Sequence, residues 1–227
     1  MHIEPGVVDG AKIILSYGTA AVAAGATVKA GADFVRENGL GALLTRSALA
    51  ALMVFCFFEV FLHYPVGVSE VHLILGTTLF LFFGLAPAAI GLAGGLLVQG
   101  LFFAAADLPQ YAINLTTLLA PIFVMGVLAK KIIPAHTAYV DLSYGQTLKL
   151  SAAYQGGIIA WVAFWAFYGQ GFGAENLANV ASFGGAYLLV IIAEPLIDLA
   201  VLAGAKSLHA LKRSAAVDKR LYNSVAA

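Results

Sequence analysis

Apolar residues run along this chain in long blocks, and the blocks match the roughly 20 residues that a helix needs to cross a bilayer. Seven blocks are read, near residues 11–30, 47–64, 71–86, 88–105, 111–129, 150–168 and 181–204. The third and fourth are parts of one stretch too long for a single crossing. Gly84 and Pro87 break it, so a tight helical hairpin is expected there. The pattern predicts an all-α polytopic membrane protein, a bundle of about seven transmembrane helices. It divides the chain into an N-terminal tail (1–10), the bundle (11–204) and a basic tail (205–227).

Composition agrees with the pattern. Of 227 residues, 61% are hydrophobic and 11% charged, with mean hydropathy +0.92. Soluble domains carry roughly 25% charged residues, so an ordinary soluble globule is excluded. Lys+Arg and Asp+Glu number 12 each, so no net basic character points to nucleic acid; the surroundings are membrane lipid. The lone Cys56 cannot form an internal disulfide.

The distribution of basic residues tests the topology, because cytoplasmic loops collect Lys and Arg. Lys29, Arg36 and Arg46 fall between the first two blocks, and Lys130, Lys131 and Lys149 between the fifth and sixth. Lys206, Lys212, Arg213, Lys219 and Arg220 follow the seventh. With these three segments inside, 11 of the 12 basic residues are cytoplasmic and only Lys12 is outside. An odd number of crossings is implied, with the N-terminus outside and the C-terminus cytoplasmic.

The chain opens Met-His-Ile-Glu-Pro-Gly-Val-Val-Asp, with no Lys before Lys12, so it lacks the basic start of a signal peptide. A bulky second residue disfavours methionine removal, and the free Met1 amine is expected to persist beside His2. The Met1 amine, the His2 backbone nitrogen and the His2 ring nitrogen can close a five- and a six-membered chelate ring on one ion. Nickel and copper favour such square-planar nitrogen sets, whereas zinc prefers tetrahedral sites. One position of the square remains. His63 and His72 flank the outer connection between the second and third blocks, while His136 and His209 are cytoplasmic. His72 can supply the fourth nitrogen. His63, beside Tyr64, is either an interfacial residue or a supporting partner.

These residues resemble a known family. Met1-His2-Ile3 followed by Gly6 is similar to the start of the CbiM/NikM proteins, the substrate-capture components of nickel and cobalt transporters of the energy-coupling-factor ABC type. Val66-Gly67-Val68-Ser69-Glu70-Val71-His72-Leu73-Ile74-Leu75-Gly76 resembles their second histidine motif. Leu96–Phe103, Asn114 and Glu194 resemble further family elements. Glu4-Pro5 and the Ala106–Gln110 segment depart from the pattern. The resemblance implies a metal site made by Met1, His2 and His72, with Gln99, Asp107 and Asn114 as supporting partners or simply helix–helix contacts. It implies Ni²⁺ or Co²⁺ as transported ligand, not cofactor, and uptake across a prokaryotic inner membrane. The implied partners are a transmembrane coupling subunit, ATP-binding cassette ATPases and a small auxiliary membrane subunit.

Glu59, Glu194 and Asp198 are acids within apolar blocks, each costing about 2.5–3.5 kcal/mol at mid-bilayer, so they should face protein or water. They mark an ion path, a docking contact, or hydrogen bonds to a neighbouring helix. Small residues at four-residue spacing, Ala20/Ala24, Ser47/Ala51 and Gly91/Gly95, allow close helix packing, internal or against a partner. Trp161, Trp165, Tyr168 and Phe172 suggest an interfacial aromatic belt. No Gly-x-x-x-x-Gly-Lys-Ser/Thr loop is present, so the chain is expected to be a non-catalytic subunit with ATP hydrolysis on separate chains. Two other readings remain: a membrane haem-binding oxidoreductase anchor using histidines, and a proton-coupled carrier of an organic solute.

Overall fold

The computed structural model describes residues 2–211. Seven helices follow in order: α1 (Ile14–Asn38), α2 (Leu40–Phe55), α3 (Gly76–Phe83), α4 (Leu85–Phe102), α5 (Tyr111–Ile132), α6 (Tyr144–Gln170) and α7 (Ala174–Leu211). Six of the helical runs are long and apolar enough to cross a membrane. Large apolar side chains such as Leu189, Ile192 and Leu196 point outward from α7; with no water at that depth, they face lipid. Met1 and residues 212–227, with four of the C-terminal basic residues, lie outside the described residues.

The exception among the seven is α3. With 8 residues it is about 12 Å long at 1.5 Å per residue, too short to cross alone. The expected third helix at 71–86 is instead the end of a strand, the non-helical link His72–Leu75, α3, and a break at Gly84. The link and α3 together still carry the chain from the His2 end of the bundle to Gly84, which packs on Phe34 near the end of α1. Of the seven expected crossings, the third is therefore not a helix of spanning length.

Helix ends also differ from block ends. The polar segment 31–46 is helical throughout except at Gly39. Hydropathy marks where a chain leaves lipid, whereas a helix stops only where its hydrogen bonding fails, and nothing before Gly39 interrupts it.

Between α2 and α3 lies a β-hairpin that the apolar pattern does not announce. Strands β1 (Tyr64–Val66) and β2 (Ser69–Val71) pair antiparallel, Tyr64 opposite Val71 and Val66 opposite Ser69. The two-residue turn places Gly67 at φ 62°, where a side chain is disfavoured. The turn also rests on α7: a Cβ on Gly67 would lie 2.1 Å from the Asn179 carbonyl oxygen.

Two sets of contacts hold the bundle. Against α2, α4 packs through Gly91 and Gly95, where added Cβ atoms would come within 2.4 Å of Ala50 and 2.6 Å of Val54. That small-residue face therefore serves internal packing. In contrast α1 is loosely held, with only 11% of its apolar window buried, and Ala24 stays exposed. The central helix is α5, whose Ile113, Leu118 and Ile122 are wholly buried with Tyr154 and Trp165 of α6. Trp165 is thus a core residue and not part of an interfacial belt, because its ring turns inward. Trp161 donates its ring N–H to Thr116 Oγ1 at 3.1 Å.

Candidate metal site

The N-terminal segment is not a loose tail. It adds to the hairpin as a third strand: Ile3 bridges Ser69 in antiparallel fashion. The Glu4 N–H donates to the Val68 carbonyl at 3.0 Å, and the Glu70 N–H to the His2 carbonyl at 2.9 Å. Ser69 Oγ also donates to the His2 carbonyl at 2.9 Å. Asn114, from α5, accepts the Ile3 N–H on Oδ1 at 2.8 Å. Further along, Ile3, Val7 and Val8 are buried, Gln110 donates to the Val8 carbonyl at 3.1 Å, and Lys12 donates to the Gly169 carbonyl at 2.6 Å.

This register explains the site. Residues two apart on a strand share a face, so Glu70 and His72 point the same way, and His2 sits across from Glu70. One ligand atom from each of His2, Glu70 and His72 lies within 4.8 Å of the others. His2 and His72 are 3% and 2% exposed, and their ring centroids are 5.4 Å apart. Phe58 packs on both rings and closes the apolar side.

The nitrogens have distinct roles. His72 Nδ1 is 3.1 Å from the Leu73 carbonyl, which makes Nδ1 the donor and leaves the Nε2 lone pair open. That Nε2 is buried and, among the described residues, has no hydrogen-bond partner. A buried imidazole nitrogen oriented through its other nitrogen is the usual arrangement of a metal ligand. His2 Nδ1 lies 2.7 Å from Glu70 Oε2 and 4.0 Å from Asp107 Oδ2. Burial holds the His2 ring below the ordinary imidazole value against the pull of Glu70, so the neutral ring donates its Nδ1–H to the carboxylate. Burial alone would raise the Glu70 carboxyl, but its hydrogen bond with His2 brings it below the ordinary value. Glu4 is pushed up, first by burial and then by the charges of Glu70 and Asp107. Glu70 and Asp107 thus set two carboxylates beside a neutral imidazole, with Glu4 near both of them, a field that attracts a cation.

Of the residues singled out in the sequence, His2 and His72 are brought together, and Met1 lies outside the described residues. Asp107 flanks His2, and Asn114 holds the segment that carries it. Beside His2 and Asp107, Gln99 lines a small cavity; its Nε2 donates to Glu59 Oε2 at 3.4 Å and its Oε1 has no partner among the described residues. His63 is near Glu70 but outside the cluster, its Nδ1 3.3 Å from the Phe61 carbonyl. Glu70 escapes a sequence reading that takes 65–70 as a turn. The alternation Glu70-Val71-His72 was its signal, legible only once the segment is known to be a strand.

The intramembrane acids Glu194 and Asp198 lie below this site on α7, both buried. Glu194 accepts the Ile74 N–H and the Gln155 side-chain amide, and Asp198 accepts from Thr78 Oγ1. They therefore secure the start of α3 and the link that bears His72. Leu75 within that link takes the left-handed φ of 54°, a conformation kept only where surroundings impose it.

Residues 2–210 match the CbiM family model, described as "Cobalt uptake substrate-specific transmembrane region". Among solved structures, the chain is similar to one titled as the crystal structure of a truncated transition metal transporter. The TM-score is 0.56 over 89% of this chain and 97% of that one, at 18% identity, a likeness of fold. No curated protein sequence matches the chain significantly.

Proposed function

The chain belongs to the CbiM family of cobalt-uptake transmembrane regions, a multi-pass membrane protein of metal uptake, and from that premise we propose that it captures Ni²⁺ or Co²⁺ at the His2–His72 site. The observation that carries this is the convergence of His2, Glu70 and His72 ligand atoms within 4.8 Å of one another, with the buried Nε2 of His72 lacking a partner among the described residues. A lone pair withdrawn from water with no proton donor is costly unless something else binds it, and a divalent cation does so. The covalent neighbours of His2 supply the rest of the set: the Met1 amine and the His2 amide nitrogen close the chelate rings, and His72 completes the square. Binding requires these nitrogens to give up protons, so uptake at the site is pH-dependent.

Basic residues support the orientation. Arg46 stacks over Phe34 at 5.2 Å and Lys206 over Tyr144 at 5.6 Å. Lys130 and Lys131 end α5. All belong to the end of the bundle away from His2. With that end cytoplasmic, the site opens to the outer side of a prokaryotic inner membrane. The chain works as the capture subunit of an energy-coupling-factor transporter, with a coupling membrane subunit and ATPases on separate chains, and a small auxiliary subunit. Metal uptake as the family's activity puts this reading ahead of a haem anchor or an organic-solute carrier.

The test is metal content. Protein purified with its native N-terminus should hold close to one nickel or cobalt per chain, and both His2→Ala and a short extension before Met1 should abolish it. Unchanged binding in both would refute the terminal chelate.

A further inference from the structure

We propose that Asp198 of α7 and Ser151 of α6 bind a sodium ion inside the bundle, at an all-oxygen site separate from the His2–His72 cluster. The inference goes beyond the capture reading and uses none of that cluster's residues.

Several helix hydroxyls in this protein turn back onto their own helix. Thr27 Oγ1 donates to the Ala23 carbonyl, Thr117 Oγ1 to that of Ile113 and Ser207 Oγ to that of Ala203, each one turn earlier. Ser151 departs from that habit. It is wholly buried, its Oγ lies beside the Asp198 carboxylate, and among the described residues that Oγ has no hydrogen-bond partner. Asp198 Oδ2 is likewise buried and without a partner among the described residues. Thr147, one turn before Ser151 on the same face of α6, carries a third such oxygen. A carboxylate oxygen and a row of hydroxyls are thus held in the dry interior, where unmet polar atoms are costly.

Charge and ligand type select the occupant. On its other oxygen Asp198 accepts the Thr78 hydroxyl, and Thr78 stands in the first turn of α3, where backbone N–H groups lack helical partners and the helix dipole is positive. That dipole offsets only part of the carboxylate's charge, and no Lys, Arg or His among the described residues pairs with Asp198. A carboxylate withdrawn from water needs a countercharge. A proton on Oδ2 would meet one oxygen, whereas a cation engages Oδ2 and the neighbouring hydroxyl oxygen together. Glu194, one turn earlier on α7, adds no ligand, because the Ile74 N–H takes its Oε1 and the Gln155 amide its Oε2. One free carboxylate oxygen with hydroxyls, and no imidazole or thiolate, suits a hard monovalent cation rather than a transition metal. Because Asp198 also holds Thr78, the ion fixes α6 and α7 against the head of α3.

The experiment melts the metal-free full chain in detergent at mildly alkaline pH, in NaCl or in choline chloride of equal ionic strength. Above the Kd for Na⁺, each ten-fold rise in NaCl should raise the melting temperature by about 3–6 °C relative to choline. Asp198→Asn and Ser151→Ala should each lose that difference. Coincident NaCl and choline series in the wild-type protein overturn the proposal and make Asp198 a protonated carboxyl. The wild-type melt decides this even where Asp198→Asn fails to fold. A sodium response kept in either variant places the ion elsewhere and equally overturns the assignment. Each of these results leaves the capture of nickel or cobalt at His2 and His72 untouched.

Discussion

Asn114 offers the sharpest check on how the site is built, because it touches the strand carrying His2 without belonging to the cluster. It is 1% exposed, and its Oδ1 accepts the Ile3 N–H at 2.8 Å. Asn114→Ala leaves that N–H buried and unmet, a loss of about 1–3 kcal/mol, or about 5- to 150-fold in an equilibrium constant. Two considerations lower the figure. Asn114 Nδ2 has no partner among the described residues, so the truncation also removes an unsatisfied group. The metal-free docked strand shares the loss with the metal-bound one, and the shared part cancels. The metal Kd of Asn114→Ala is therefore expected to rise by about 5-fold, with one ion per chain retained, as read by titration calorimetry. Asn114→Asp keeps the acceptor and should bind as tightly as the wild-type protein. Wild-type affinity in Asn114→Ala, or equal weakening in both variants, would refute the view that this bond positions His2.

Two further outcomes follow from the same geometry. Glu194→Ala leaves both the Ile74 N–H and the Gln155 amide without an acceptor, about 1–3 kcal/mol for each. Its melting temperature in detergent should fall by at least about 4 °C, while Glu194→Gln, which keeps an acceptor oxygen, should melt nearer the wild-type value; an unchanged melt for Glu194→Ala would sink the idea that α7 anchors the His72 link. A pH dependence also follows. Burial holds His2 below its ordinary 6.5, so below that pH the undocked strand binds more protons than the docked one. Docking is then at full strength above 6.5 and weakens as pH falls through the window beneath it. Hydrogen exchange at the Ile3 amide of the metal-free protein, corrected for its intrinsic rate, should accelerate on acidification; slower exchange would contradict the buried neutral ring.

The site residues show what could be read in advance. His2 stands beside Met1 in the chain, and His72 follows a Gly- and Ser-bearing turn, so both are visible in the order of residues. Glu70 was not. Its part depends on pairing with a segment some seventy positions away, and the three-residue strand is too short to declare itself by alternation. Trp165 escaped for a similar reason: an aromatic near a helix end reads as a membrane anchor until the packing shows which face it occupies. Asn114 and Glu194 were conspicuous as polar residues in apolar helices, but the backbone groups they satisfy belong to distant segments.

The sequence by itself determined that the chain is a polytopic membrane protein built of apolar helices, and which of its segments collect positive charge. These are properties of segments, set by transfer free energy and covalent order, and they do not depend on what each segment touches. Only the tertiary structure decided that the N-terminal segment docks on a hairpin, that the segment before α3 is not helical, and that His2, Glu70 and His72 meet. Those follow from backbone hydrogen bonds that must be satisfied away from water, and the partners that satisfy them are chosen by the fold as a whole.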